Sequence, residues 1–177
     1  MVKIVATLLA LLLALAQARA EDGLEVAMGD DPERFAEMVT DLIAGFGVAG
    51  NLRAEGIEEH IALERAAARA TALRRFLAMD LDGDGTVDRS ELEVSQRAAS
   101  ASMRGKLERQ FKAADRDGSD QIDLAELRAE GQAAALRALG EAEAETLRAL
   151  ITLDANGAGA LQIGEVRLAT ARTDEAT

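Results

Sequence analysis

Residues Asp80 to Glu91 read DLDGDGTVDRSE, and five of these twelve side chains are carboxylic acids. These groups are ionised at neutral pH and repel one another, and the two glycines leave the backbone flexible. Such a stretch is compatible with a folded protein if a bound group relieves the repulsion among the carboxylates. The spacing of the oxygen-bearing residues indicates the nature of that group.

The stretch matches the spacing D-x-[DN]-x-[DN]-G-x5-E without a mismatch. Gly85 stands at position 6, where the chain must turn sharply. The candidate ligands are Asp80, Asp82 and Asp84 at positions 1, 3 and 5, the carbonyl of Thr86 at position 7, Asp88 at position 9 through water, and Glu91 at position 12 with two oxygens. Six to eight oxygens wrapped around one point suit a hard divalent cation of the size of Ca²⁺. A bound cation would therefore relieve the repulsion.

A second acidic loop, DRDGSDQIDLAE, runs from residue 115 to residue 126. Its candidate ligands are Asp115, Asp117, Ser119, the carbonyl of Gln121, Asp123 and Glu126. Asp120 occupies position 6, where the pattern has glycine. Aspartate tolerates a left-handed backbone better than most residues do, but at some cost. We expect this loop to bind a cation more weakly than the first.

Two further breaks follow the same layout less well. In DANGAGALQIGE, which starts at Asp154, Ala158 offers no oxygen at position 5, so we expect a structural unit that pairs with its neighbour. In GFGVAGN, which starts at Gly45, no acid stands at a ligand position, and the sequence leaves open whether this is a vestigial unit or only a loop. The four breaks begin 35, 35 and 39 residues apart, which indicates a repeated helix-loop-helix unit.

The fold class follows from composition and periodicity. The chain lacks Trp and Tyr, has four Phe and one Pro, and shows no run of alternating β-branched residues. We therefore predict an all-α fold of paired helix-loop-helix units. The predicted helices are Pro32–Ala44, Ile57–Met79, Ser90–Ala99, Lys106–Ala114, Leu124–Leu139 and Glu141–Leu153, followed by a polar, frayed end from Ala169.

In these loops the sequence resembles the EF-hand superfamily, and in particular a bacterial-type secreted or periplasmic EF-hand protein. The resemblance implies Ca²⁺ as the bound ion at the positions named above. It also implies paired hands whose position-8 residues, here Val87 and Ile122, form a short β-bridge. The hands would lie near 68–103 and 104–139, with a degenerate hand near 141–170, and the near-equal spacings leave their pairing open.

The first twenty residues, MVKIVATLLALLLALAQARA, have the features of a secretory signal peptide. A lysine precedes a short apolar run, and Ala18-Arg19-Ala20 forms a cleavage pattern. We expect export to the periplasm or the outside, an EF-hand domain over 21–177 that begins at Glu21, and no stable membrane anchor.

Charge and motifs restrict the function. Loss of Lys3 and Arg19 would leave 18 Lys and Arg against 32 Asp and Glu, a net charge of −14 that repels nucleic acid. No nucleophile-base-acid set or phosphate loop is present, so we predict that the protein is not an enzyme. Two functions remain: a Ca²⁺-binding buffer, sensor or adaptor with an unidentified protein partner, or a structural or interaction protein that uses Ca²⁺ only as a folding staple.

Overall fold

The computed structural model describes residue 18 and residues 20–175, and within them the chain is almost entirely helical, which confirms the all-α prediction. The elements in chain order are α1 (20–30), α2 (Pro32–Phe46), α3 (Ala54–Leu77), β1 (Val87–Asp88), α4 (Arg89–Arg97), α5 (Ala101–Ala114), β2 (Gln121–Ile122), α6 (Leu124–Ala138), α7 (Glu141–Ala149), a 3-10 turn (Leu150–Leu153) and α8 (Ile163–Glu175). Most of the predicted signal peptide lies outside the described residues. None of the described helices is both long and apolar enough to cross a membrane.

Helix starts depend on side-chain caps. The carboxylate of Asp31 accepts a hydrogen bond from the Arg34 N–H at 3.0 Å, and Pro32 occupies the first turn of α2. The hydroxyl of Ser100 accepts from the Met103 N–H at 3.3 Å, so α5 begins five residues before the predicted start at Lys106. At the other end of the chain the frayed-terminus prediction is wrong, because α8 continues to Glu175.

The described residues form two compact units. The inner unit runs from Glu64 to Ala138, and the outer unit combines the residues up to Leu63 with those from Leu139. Each unit has its own apolar core, and this is why the chain divides. The inner core consists of Phe76, Met79, Val87, Leu92, Phe111, Ala114, Ile122 and Leu127.

A two-stranded antiparallel sheet joins the two acidic loops of the inner unit. Val87 in β1 is paired with Ile122 in β2, and both side chains are buried. The expected bridge between the position-8 residues therefore forms, and it pairs the first acidic loop with the second. The bridge places an apolar residue from each loop in the inner core while the carboxylates of the loops remain outside it.

A second bridge pairs the two poorer breaks. Leu52 and Leu161 exchange backbone hydrogen bonds of 2.9 and 2.8 Å, and both side chains are fully buried. The break at Gly45 is thus a structural hand, and the break at Asp154 pairs with it across 109 positions of sequence. The outer core around this bridge consists of Ala20, Leu24, Met28, Phe35, Val39, Leu42, Ile43, Leu52, Ile57, Ile61, Leu139, Ala144, Ala149, Leu150, Leu161 and Val166.

The hand between α2 and α3 is closed without a carboxylate, by backbone contacts and by the Asn51 side-chain amide, which donates to the Ala49 carbonyl at 3.0 Å. Ala49 and Gly50 both have positive φ values, of 52° and 78°, in a tight turn held by two hydrogen bonds between Val48 and Asn51. A Cβ at Gly56, the position-12 residue, would meet the carbonyl oxygen of Phe46 at 2.5 Å. Backbone thus fills the place that a ligand side chain takes in the acidic loops.

We predict that Leu161→Ala lowers the free energy of unfolding of the outer unit by about 3 kcal/mol, because it removes a fully buried side chain from the bridge. Leu168→Ala, at a side chain in α8 that is 59% exposed, should change it by less than about 0.5 kcal/mol. Urea unfolding followed by circular dichroism in EDTA measures both. Equal effects would show that the Leu52–Leu161 bridge is not part of the core.

Candidate metal centre

The first residue of each acidic loop organises the turn that follows it. In the first loop, one oxygen of Asp80 accepts from the Gly83 N–H at 2.8 Å and the other from the Gly85 N–H at 3.1 Å. In the second loop Asp115 accepts in the same way from Gly118 at 2.8 Å and from Asp120 at 3.1 Å. The two loops therefore share one backbone geometry.

Asp120 adopts the left-handed conformation that its position requires. Its φ is 60°, against 85° for Gly85 at the same place in the first loop. The missing glycine therefore leaves the shape of the turn intact, and the cost lies in a conformation that side chains with a Cβ rarely adopt.

The glutamate at position 12 connects both ends of its loop. Glu91 accepts from the Leu81 N–H at 2.7 Å with one oxygen and from the Asp88 N–H at 2.9 Å with the other. Glu126 accepts from Arg116 at 2.6 Å and from Asp123 at 3.1 Å. Both glutamates are 8% exposed. Each one therefore ties the start and the end of its loop to the first turn of the following helix.

The position-9 aspartates cap those helices. The carboxylate of Asp88 accepts from the Glu91 N–H at 2.9 Å, and this completes a capping box with the bond from the Asp88 N–H to Glu91. The Glu91 N–H and then the Ser90 hydroxyl hold the pKa of Asp88 below its usual range. Asp123 makes the same bond to the Glu126 N–H. The sequence analysis missed this box, although the D-x-x-E spacing encodes it.

The structure brings several predicted ligands together. Asp80, Asp82 and Asp84 have carboxylate oxygens within 4.8 Å of one another, and so do Asp115, Asp117 and Glu126. Every donor in the two sets is an anionic oxygen, which is the donor that hard divalent cations prefer. The residues present therefore fit Ca²⁺. Glu91, unlike Glu126, lies outside the cluster of its loop, and both of its oxygens accept loop N–H groups.

Three further predicted ligands, Thr86, Ser119 and Gln121, lie at the junction of the two loops. The Gln121 amide donates to the Thr86 hydroxyl at 2.8 Å across the β1–β2 pair, and the Ser119 hydroxyl donates to the Gln121 carbonyl at 3.1 Å. Ser119 also holds the pKa of Asp117 below its usual range by hydrogen bonding. The two sites thus share a side-chain contact. The role of each of these residues in binding stays a prediction.

The loop at Asp154 keeps the frame of the acidic loops but satisfies its glutamate internally. Asp154 accepts from the Gly159 N–H at 2.7 Å, and Glu165 accepts from the Gln162 N–H at 3.1 Å. The side-chain amide of Asn156 donates to Glu165 at 2.8 Å. With Ala158 at position 5, this loop is closed by its own chain, as a structural hand requires.

Comparison with known proteins agrees with the geometry of the inner unit. The family model described as EF hand matches residues 73–94 and 107–129, which cover the two acidic loops and parts of their flanking helices. No curated protein and no solved structure matches the chain significantly. The match supports membership of the EF-hand superfamily, and together with the carboxylate clusters it indicates calcium binding by the inner unit.

We predict that Asp120→Gly raises the free energy of unfolding in EDTA by about 0.5–1 kcal/mol, because glycine adopts the left-handed conformation without a Cβ clash. Asp120→Asn is the matched control, since it removes the same charge but keeps the side chain. Thermal melting of both variants separates the two effects. A glycine variant that melts no higher than the asparagine variant would show that the backbone at Asp120 carries no strain.

Proposed function

We propose that this chain is a secreted or periplasmic Ca²⁺-binding protein that acts as a buffer, sensor or adaptor. One ion would be held by each acidic loop of the inner unit. The ligands would be the twelve residues Asp80, Asp82, Asp84, Thr86, Asp88, Glu91, Asp115, Asp117, Ser119, Gln121, Asp123 and Glu126. The observation that carries this proposal is the convergence of three carboxylates in each of two loops that are joined by one β-bridge.

Electrostatics explains why the ion would matter to this fold. The two loops together contain ten carboxylates and two arginines, and their mutual repulsion opposes the folded state. A cation that binds only the folded state stabilises it, by about 2.7 kcal/mol at a hundredfold excess over the dissociation constant. The outer unit has neither acidic loop, so the stabilisation would fall on the inner unit.

The alternative is a protein that uses Ca²⁺ only as a folding staple. It draws support from the closed inner core, where Phe76 and Phe111 are at most 1% exposed, and from glutamates that backbone N–H groups already hold. A sensor exposes apolar surface when the ion binds, whereas a staple only becomes more stable. Fluorescence of a hydrophobic dye with and without Ca²⁺, recorded beside a melting curve, distinguishes the two.

For metal binding, we predict two Ca²⁺ ions per chain by calorimetric titration of the mature protein. Glu91→Gln and Glu126→Gln should each leave one measurable site, because each removes the bidentate anion of one loop. Glu165→Gln is the matched control and should leave two. Three wild-type sites, or loss of a site in the Glu165 variant, would mean that the loop at Asp154 binds metal.

For processing, we predict that the exported protein begins at Glu21, because Ala18-Arg19-Ala20 follows the apolar run. Cleavage there would remove Ala20 from the outer core but keep Leu24 and Met28, which also belong to it. N-terminal sequencing of exported protein measures this. Ala20→Phe, which places a bulky residue at the cleavage point, should block processing. Detection of Met1 in exported wild-type protein would contradict the proposed leader.

A further inference from the structure

A row of cations runs along one side of α5 in the inner unit. Arg104, Glu108 and Lys112 are four residues apart, so they follow one side of the helix, and Arg116 lies just beyond the end of the helix at Ala114. Two more arginines join the row through ion pairs. We call this surface the basic ridge and define it as Arg75, Arg89, Arg104, Lys112 and Arg116.

Two carboxylates are shared among four of these cations. Glu108 accepts from Arg89 at 2.8 Å and lies 3.6 Å from Lys112. The hydrogen bond from Arg89 holds the pKa of Glu108 below its usual range, so this carboxylate contributes one negative charge to the ridge. Glu108 therefore balances one of these two cations, while Glu93 and Asp120 also act electrostatically on Arg89.

The second shared carboxylate repeats the arrangement. Glu130 lies 3.1 Å from Arg75 and 3.8 Å from Arg116. The guanidinium of Arg104 donates to the carbonyls of Ala99 and Arg97, at 3.0 and 3.1 Å, and these acceptors are neutral. The ridge thus carries five positive charges against the two shared carboxylates, with Glu93 and Asp120 also acting on Arg89. Lys112 and Arg116 are its most accessible members, with side-chain exposures of 71% and 53%, against 39% at Arg89 and 34% at Arg75.

Calcium would change the sign of the charge around this ridge. Residues 64–138 contain 13 Lys and Arg against 14 Asp and Glu, a net charge of −1, and ten of the acids belong to the two loops. Two Ca²⁺ ions would raise the net charge to +3. Arg89 and Arg116 are themselves loop residues, adjacent in sequence to the proposed ligands, so this end of the ridge lies within the Debye length of about 8 Å at physiological salt.

We propose that Ca²⁺ loading makes the basic ridge a docking surface for an acidic linear segment of a partner protein. This rests on the proposed function, because the loops must hold Ca²⁺. From residue 104 to residue 116 the ridge is about 18 Å long at 1.5 Å per residue. Five or six residues of an extended chain have about that length. The segment would therefore present several carboxylates over five or six residues.

The charge of the rest of the chain argues for a short partner segment over an extended anionic surface. Residues 1–63 and 139–177 contain 7 Lys and Arg against 18 Asp and Glu, a net charge of −11. The net charge of the whole chain therefore opposes an extended polyanion such as a membrane or a nucleic acid duplex. A segment of five or six residues matches the charge and the length of the ridge without adding a large anionic surface.

The test uses the full mature protein and a fluorescein-labelled hexaglutamate peptide, with hexaglutamine as the peptide control. Fluorescence anisotropy should show hexaglutamate binding that is at least fivefold tighter in Ca²⁺ than in EDTA and that weakens with added salt. Glu91→Gln/Glu126→Gln should bind the peptide no better in Ca²⁺ than in EDTA. This double variant shows whether Ca²⁺ acts through the loops and not through the peptide.

Two lysines of α5 provide matched variants. Lys112→Gln removes a ridge charge and should weaken peptide binding about threefold. Lys106→Gln removes an equal charge about 160° around the helix from Glu108 and should leave binding unchanged. Equal weakening by both variants would overturn the ridge as the site.

Calorimetry in parallel separates this inference from the proposed function. If the wild type binds no Ca²⁺, the proposed function fails and the docking surface fails with it. If Ca²⁺ binds but hexaglutamate does not, the inference alone is overturned. Binding to anionic vesicles without binding to the peptide, or self-association of the Ca²⁺ form in sedimentation, would also overturn it in favour of a different occupant.

Discussion

The twelfth-position carboxylate is the contact on which each acidic loop depends. This carboxylate accepts hydrogen bonds from backbone N–H groups at the beginning and the end of the loop, and the glutamate that carries it lies in the first turn of the next helix. With the loop closed in this way, the eighth residue points into the core and pairs with its counterpart in the other loop. The ion-binding oxygens, the β-bridge and the inner core are thus set by one side chain per loop.

The outer unit has the same helix-loop-helix architecture, but only one of its two hands has a carboxylate at position 12. Its first hand replaces the acidic residue with Gly56, whose missing side chain lets the end of α2 approach the start of α3. Its second hand keeps Glu165 but supplies Asn156 as an internal donor. Both devices remove the excess negative charge that makes the inner loops depend on a cation. The loops of this repeat are therefore closed in two ways: by a carboxylate at position 12 in the acidic loops, and by close backbone approach at Gly56 in the first outer hand.

Local chemistry explains which features could be predicted from the sequence. The D-x-D-x-D-G spacing and the Asp31 cap each depend on residues whose roles are fixed within a dozen positions. The bridge between Val87 and Ile122, which are 35 positions apart, was expected only from the resemblance to the EF-hand superfamily. The pairing of Leu52 with Leu161 could not be predicted, because spacings of 35, 35 and 39 residues fit several pairings equally well. The division into two cores follows from that pairing. The early start of α5 was missed because Gly105 suggested a break, whereas Ser100 caps the helix ahead of it.

The nested order of the two bridges also affects how the chain reaches its fold. The partners of the inner bridge are 35 positions apart and those of the outer bridge 109. Closing the longer loop costs about 1 kcal/mol more in chain entropy, and contacts distant in sequence form more slowly. The inner unit can therefore fold ahead of the outer unit, in whatever compartment folding takes place. The apolar residues of α1 and α2 belong to a core that is complete only when residues from Leu139 onward join it.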